Sequence, residues 1–250
     1  MSVLKLEDAE IHYEEYGSGY PILLFAPGGM RSQARMWQAP PDGPPRVWND
    51  WTKVLADGYR VITMDQRNAG RSKGAIEADH GWHTYGSDQL ALMDYLGIER
   101  FHVLGGCIGS SFCLTLCDLV PQRISAAVLQ NPIGVNPEHP TYFPDGFVEW
   151  TAEQRAERPE LDPAAMESFG RNMWGGDFVF NVDRDFVKGC QTPALVLPGN
   201  DKPHPRVIGL EVAELLPNAK MLVDWKGPDH LDAQREKVLG FLEAQTPEKS

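Results

Sequence analysis

Residues 103–109 read Val103-Leu104-Gly105-Gly106-Cys107-Ile108-Gly109, an apolar strand that runs straight into G-x-C-x-G. A helix-like run, Ser110 to Leu119, follows at once. A strand that turns into a helix within so few residues forces a strained backbone on the residue at the turn, and glycines on either side remove the side chains that would clash. Such a turn pushes the cysteine thiol into a cleft and aims the positive end of the helix at it, which favours the thiolate. A Gly-rich turn around a small buried cysteine would look the same over seven residues, so the rest of the chain has to decide between the two.

The chain of 250 residues fits one large α/β domain or two small ones, and its apolar fraction of 42% is that of an ordinary globular protein. A net charge of −12 with no Lys/Arg block argues against nucleic acid or an anionic membrane as a partner and leaves a small-molecule substrate; oligomeric state is not legible. The amino-terminal stretch MSVLKLEDAEIHYEEYG is charged and alternating, unlike a signal peptide, and no run reaches the length of a membrane span. Cys113 and Cys117 lie four apart on the expected helix and read as small core residues; Cys190 is the fourth cysteine, and no C-x-x-C metal pattern exists. No metal or cofactor is expected. A free catalytic thiol suits a reducing compartment, so a cytoplasmic location is expected.

Strand and helix signals alternate along the chain. Val3–Leu6 with Glu10–Tyr16 reads as a hairpin; Pro21–Ala26, Tyr59–Met64, Phe101–Leu104, Ile124–Gln130, Pro193–Leu197 and Met221–Trp225 read as strands. Tyr85–Leu96 and Leu231–Phe241 read as helices. This alternation predicts an α/β fold: a mostly parallel sheet of about eight strands, covered by helices on both faces. Two stretches break it. Residues 38–46, QAPPDGPPR, form a Pro-rich loop, and residues 133–190 hold helix-like pieces (Phe147–Arg158, Pro163–Met173) and many aromatics. The expected division is a core of 1–132 and 191–250 with an inserted cap over 133–190.

A cysteine nucleophile needs a base, and the base needs an orienting group. Of the seven histidines, His230 in Gly227-Pro228-Asp229-His230-Leu231 follows the last expected strand and is the leading base. His80 and His83 precede a helix and could approach the site, His139 falls in the expected cap, and His204 opens the helix after Pro193–Leu197. Asp201, in Gly199-Asn200-Asp201-Lys202-Pro203, fits the orienting acid, although Asn-Asp is also ordinary turn chemistry.

The order Cys107…Asp201…His230 then resembles the α/β-hydrolase order of nucleophile, acid and histidine. Four segments carry the resemblance: LLFAPGG at 23–29, VITMDQRNAGRS at 61–72, GIERFHVLGGCIGSS at 97–111, and TPALVLPGND at 192–201 with GPDHL at 227–231. The chain is similar to capped members of the family, and dienelactone hydrolases share its G-x-C-x-G with Asp and His. Cysteine stands where serine is commoner, and Ala26-Pro27 stands where many members carry His-Gly. The resemblance implies an oxyanion hole from the Ile108 N–H and from the N–H of Gly28 or Gly29.

A thiolate leaves as readily as it attacks, so esters, lactones and thioesters are expected as substrates rather than peptides, through an acyl-cysteine intermediate. Transfer to another acceptor, carbon–carbon bond hydrolysis and ligand binding without turnover are the competing readings. Phe147, Trp150 and Trp174 are candidates to line an apolar pocket under the cap, with Trp37 on the opposite wall. Arg31 and Arg35 are candidates to grip a substrate carboxylate.

Overall fold

The computed structural model describes residues 2–38 and 47–247. Its strands are β1 (Ser2–Lys5), β2 (Ala9–Tyr16), β3 (Tyr20–Phe25), β4 (Tyr59–Met64), β5 (Lys73–Gly74), β6 (Phe101–Gly106), β7 (Ile124–Gln130), β8 (Ala194–Leu197) and β9 (Ala219–Met221). The helices are α1 (Trp51–Val54), α2 (Trp82–Tyr95), α3 (Ile108–Leu119), α4 (Tyr142–Glu157), α5 (Pro163–Trp174), α6 (Arg184–Gly189), α7 (Arg206–Leu215) and α8 (Leu231–Gln245). One sheet runs in the order β1-β2-β4-β3-β6-β7-β8-β9, with β5 paired to β2. β1, β2 and β5 pair antiparallel, and every pairing from β4 to β9 is parallel.

The central strands β6, β7 and β8 are buried at every residue, which explains why they read as short apolar runs rather than as alternating ones. Alternation survives as a division between two cores. Leu23, Phe25, Val103, Leu129 and Val196 face α2 and α3 on one side. Ile22, Leu24, Leu104, Val128 and Leu195 face Trp51 and the α8 residues Val238, Phe241 and Leu242 on the other. Each such side chain contributes about 1.5–3 kcal/mol by leaving water.

The chain leaves β3 toward β4 on one side and returns as β6 on the other, so the strand order reverses between β3 and β6. Loops leaving adjacent parallel strands diverge at such a point and open a crevice at the strands' carboxyl ends. The loops after β3, β6, β7 and β8 all reach that end.

The expected strand Met221–Trp225 is displaced: β9 is Ala219–Met221, and residues 222–227 are irregular. Trp225 explains the early end, because it turns inward and is 1% exposed, with its Nε1 donating to the Pro198 carbonyl at 2.8 Å. Between β7 and β8 the described chain forms no strand and carries α4, α5 and α6. Of the Pro-rich stretch 38–46, only Gln38 is among the described residues. No helix among the described residues is long and apolar enough to cross a membrane.

Candidate active site

Cys107 sits between β6 and α3 with φ 58° and ψ −122°, a conformation that costs a non-glycine residue about 1–3 kcal/mol. Its neighbours cannot be anything larger than glycine. A Cβ on Gly105 would lie 2.0 Å from the Gly109 carbonyl oxygen, and one on Gly109 would lie 2.2 Å from that of Phe25. The strain is held in place by hydrogen bonds: Cys107 N–H donates to the Gln130 carbonyl at 2.9 Å, and Ser110 Oγ reaches the Gly105 and Gln130 carbonyls at 3.0 Å each.

The loop after β3 supplies a second wall. Gly28 has φ 128°, and a Cβ there would come within 2.3 Å of Met36 Sδ, so the position accepts only glycine. Ser32 Oγ donates to the Ala26 carbonyl at 2.6 Å, and Asp65 accepts the Ala34 N–H at 2.9 Å, which pins the loop from below. The backbone N–H groups of Gly28 and Ile108 both face the Cys107 sulfur. These are the two donors expected of an oxyanion hole; Gly29 lines the same cavity beside them.

The imidazole that meets the thiol belongs to His204. It comes from the turn after β8, where Asp201 and His204 form an isolated antiparallel bridge. His204 N–H donates to the Asp201 carbonyl at 3.0 Å, and His204 Nδ1 lies 2.5 Å from Asp201 Oδ1. The turn folds back tightly over Gly199, where a Cβ would be 2.3 Å from the His204 Cβ. With Nδ1 engaged by the carboxylate, Nε2 is buried and has no well-aligned hydrogen-bond partner. The ring interacts with the thiol in the looser geometry common before substrate binds.

Electrostatics favour an ion pair. Burial opposes charge on Cys107, but His204 and the N–H groups of Gly28 and Ile108 outweigh it and lower the thiol below its ordinary value. Burial likewise opposes the imidazolium, yet the facing thiolate and Asp201 raise His204 to about 9. Burial pushes the Asp201 carboxyl up, and hydrogen bonds from His204 and Lys226 override it and hold the group well below the usual carboxylate range. The three groups therefore favour one another's charged forms, thiolate, imidazolium and carboxylate.

His230 does not take the place expected of it. It closes a single turn, Pro228–His230, its N–H donates to the Gly227 carbonyl at 3.0 Å, and it lies outside the cavity that holds Cys107. The physical reason is the early end of β9: the chain beyond it is tied down by Trp225 and by a Gly227 N–H to Val47 carbonyl bond of 2.9 Å. The sequence signal for His204 was its spacing. Asp201 and His204 stand three apart in Asp-Lys-Pro-His, a separation that a single turn closes.

Cys107 opens into a cavity of about 660 Å³, within the range of small-ligand sites. Phe147 and Trp174 line it, as does Trp48. Three other expected lining residues do not. Trp150 is 1% exposed and packs on Phe147 and Phe169. Trp37 is fully buried beneath Gly106, with its Cη2 3.0 Å from where a Cβ would stand. Arg35 is exposed on the turn Ala34–Trp37, away from the cavity. Arg31 reaches the cavity edge, but its guanidinium is committed to Glu153 of α4 through bonds of 2.9 and 2.8 Å, so it ties the loop after β3 to α4 rather than awaiting a carboxylate.

That tie is one of several. Arg158 reaches Asn68 Oδ1 at 3.0 Å, Asn172 donates to the Ala78 and His80 carbonyls, and Asn181 donates to the Ser111 carbonyl at 2.8 Å. The segment carrying α4 and α5 is thus fastened over the sheet at several points. Among the described residues no cluster of His, Cys, Asp and Glu is placed to hold a metal ion.

Residues 21–169 match the α/β hydrolase fold family, and the chain belongs to it. Over 242 residues it is 28% identical to "Putative carbamate hydrolase RutD" of Pseudomonas savastanoi pv. phaseolicola, covering 82% of this chain and 91% of that one. It is also 28% identical, over 138 residues, to the 2-hydroxy-6-oxo-6-phenylhexa-2,4-dienoate hydrolase of Comamonas testosteroni, covering 54% and 44% of the two chains. Among solved structures, the enol-lactonase from Burkholderia xenovorans LB400 superposes with a TM-score of 0.67 at 20% identity, covering 97% of this chain and 100% of that one.

Proposed function

We propose that this protein hydrolyses a small ester, lactone or thioester through an acyl-cysteine intermediate, with Cys107 as nucleophile, His204 as base and acid, and Asp201 as orienting carboxylate. The observation that carries this reading is the thiol facing the His204 imidazole, which Asp201 holds from behind, in the wall of a cavity of about 660 Å³, with two backbone N–H groups at the sulfur. Thiolate attack on the carbonyl carbon places negative charge on the carbonyl oxygen, which the Gly28 and Ile108 N–H groups stabilise. Collapse expels the alkoxide or thiolate, which takes a proton from the His204 imidazolium. Neutral His204 then accepts a proton from water as it attacks the thioester, and the sulfur departs as thiolate.

Residues 1–132 and 191–250 form the core in this reading, and 133–190 is the cap that roofs the substrate. The lactone- and ester-type substrates rest on thiolate chemistry and on the kinship with hydrolases, an enol-lactonase fold among the neighbours included. The competing reading is acyl transfer on the same site, in which an alcohol or thiol replaces water. A panel of p-nitrophenyl esters and lactones, assayed with and without acceptor alcohols, tests both. The proposal expects an acyl adduct on Cys107 by mass spectrometry, release of free acid, and faster turnover of short acyl chains than long ones under a fastened cap. Turnover that persists in Cys107→Ala would overturn it, and ester products that grow with acceptor concentration at the expense of acid would favour transfer.

A further inference from the structure

Asp201 is a carboxylate held between two cations. His204 Nδ1 lies 2.5 Å from Oδ1, and Lys226 Nζ lies 2.5 Å from Oδ2 and 3.4 Å from Asn200 Oδ1. Lys226 arrives from the irregular stretch after β9, the part of the chain expected to deliver His230. Its neighbours fix it there: Trp225 is bonded to the Pro198 carbonyl, and Gly227 to that of Val47. The Lys226 side chain is only 20% exposed.

We propose that Lys226 is a positioning residue of this site, whose ammonium balances the Asp201 carboxylate and so sets how readily His204 releases its proton. The inference rests on the functional reading above and adds a fourth member to it. The effect is electrostatic rather than a matter of aim, because Asp201 is directed at His204 by their own turn: His204 N–H donates to the Asp201 carbonyl at 3.0 Å and to Oδ1 at 3.2 Å. With Lys226 present, Asp201 and Lys226 together are neutral, and the charge that holds a proton on the imidazole is chiefly the Cys107 thiolate. Acylation removes that thiolate. The imidazole then loses its proton to the leaving group and stays neutral, ready to take a proton from the attacking water. Without Lys226 an unbalanced carboxylate would keep His204 protonated in the acyl-enzyme, and water would lack its base.

The other ionisable groups lining the cavity are Cys107 on the elbow, Arg31 on the loop after β3 (paired with Glu153), Lys202 in the same turn, Tyr142, Asp145 and Glu149 on α4, and Glu138 and His139 just before α4. All are unchanged in the variants that follow. NMR titration of the His204 ring in the free enzyme, for wild type, Lys226→Met and Lys226→Arg, reads the proposal without any substrate. Lys226→Met should move the His204 titration upward by about one pH unit, the order expected for a unit charge a few ångströms away and partly screened by water. Lys226→Arg should leave it close to wild type. With p-nitrophenyl acetate, the acid limb of kcat should move to higher pH in Lys226→Met, with the rate recovering at alkaline pH and restored by Lys226→Arg.

A His204 titration that does not move in folded Lys226→Met would overturn the inference, as would a loss of kcat with no shift in its pH profile. Failure of the functional reading looks different: turnover of wild type would be absent or independent of Cys107, while the NMR arm would still report on Lys226.

Discussion

Replacing Asp201 with Asn removes one charge and keeps the size. In the folded protein the carboxylate accepts from His204 Nδ1 at 2.5 Å and is itself 39% exposed. A hydrogen bond to a charged group is worth about 1.5–3 kcal/mol, and partial exposure places this one toward the lower end, about 1.5–2 kcal/mol. At 1.36 kcal/mol per unit, that lowers the His204 pKa by about 1–1.5 units. His204, raised to about 9 in the native site, would then lose its proton nearer the neutral range. The sign follows from the charge: a raised pKa means that the protonated form is the stabilised one, and its stabilisation is lost as pH rises through the folded value. The same 1.5–2 kcal/mol, withdrawn from the imidazolium that forms during turnover, slows hydrolysis by about 10–30-fold. The loss grows if the Asn amide donates to Nδ1 and reverses the tautomer, since Nε2 could then no longer accept a proton. The assay pairs steady-state hydrolysis of an activated ester with the pH dependence of Cys107 alkylation. An Asn variant with undiminished turnover and an unchanged alkaline limb would refute the assignment of Asp201.

At limiting iodoacetamide, Cys107 should label first and keep labelling as pH falls below the ordinary thiol range, losing reactivity only through its lowered pKa; peptide mass spectrometry reads the order. Cys113 and Cys117 should stay silent, because burial raises the Cys113 thiol and the hydrogen bond with Cys190, together with burial, raises that of Cys117, while Cys190, lowered to about 6 by a hydrogen bond from Cys117 against its burial, is only 7% exposed and should label slowly despite its ionisation. Gly199→Ala would drive a Cβ to 2.3 Å from that of His204, so kcat/KM should fall about 100-fold while thermal unfolding shows a cooperative, modestly lowered transition. Arg67→Met should lower the unfolding free energy by about 3–5 kcal/mol in a denaturant titration, because it strands Asp88, whose side chain is 3% exposed and is gripped by two bonds of 2.8 Å.

The fold was legible because its signals are local. The glycines around Cys107, the apolar runs of β3, β6, β7 and β8, and the alternation of strand with helix each follow from close contact or period, and the structure places all of them where the pattern put them. The place of Cys107 at the strand–helix turn and of the Ile108 N–H beside its sulfur was legible for the same reason, since one turn fixes both. The histidine was not. Which of two loops reaches the thiol depends on where β9 stops, and that is decided by Trp225 turning under the Pro198 carbonyl, a contact between residues 27 apart in sequence. The lining residues split on the same ground. Trp37 and Trp150 carry the composition of a pocket wall, but their position beneath Gly106 and Phe147 is set by tertiary packing. Arg31 was legible as a charge near the site and not as one already spent on Glu153, 122 residues away.

Which histidine serves Cys107 is the question on which the proposed chemistry turns. Turnover of a short p-nitrophenyl ester should be measured for His204→Ala and His230→Ala side by side, each with a thermal unfolding curve to show that it folds. His204→Ala should abolish turnover and return Cys107 alkylation to the pH dependence of an ordinary thiol, while His230→Ala should retain turnover within a few-fold of wild type. The reverse outcome, an active His204→Ala and a dead but folded His230→Ala, would contradict the site described here.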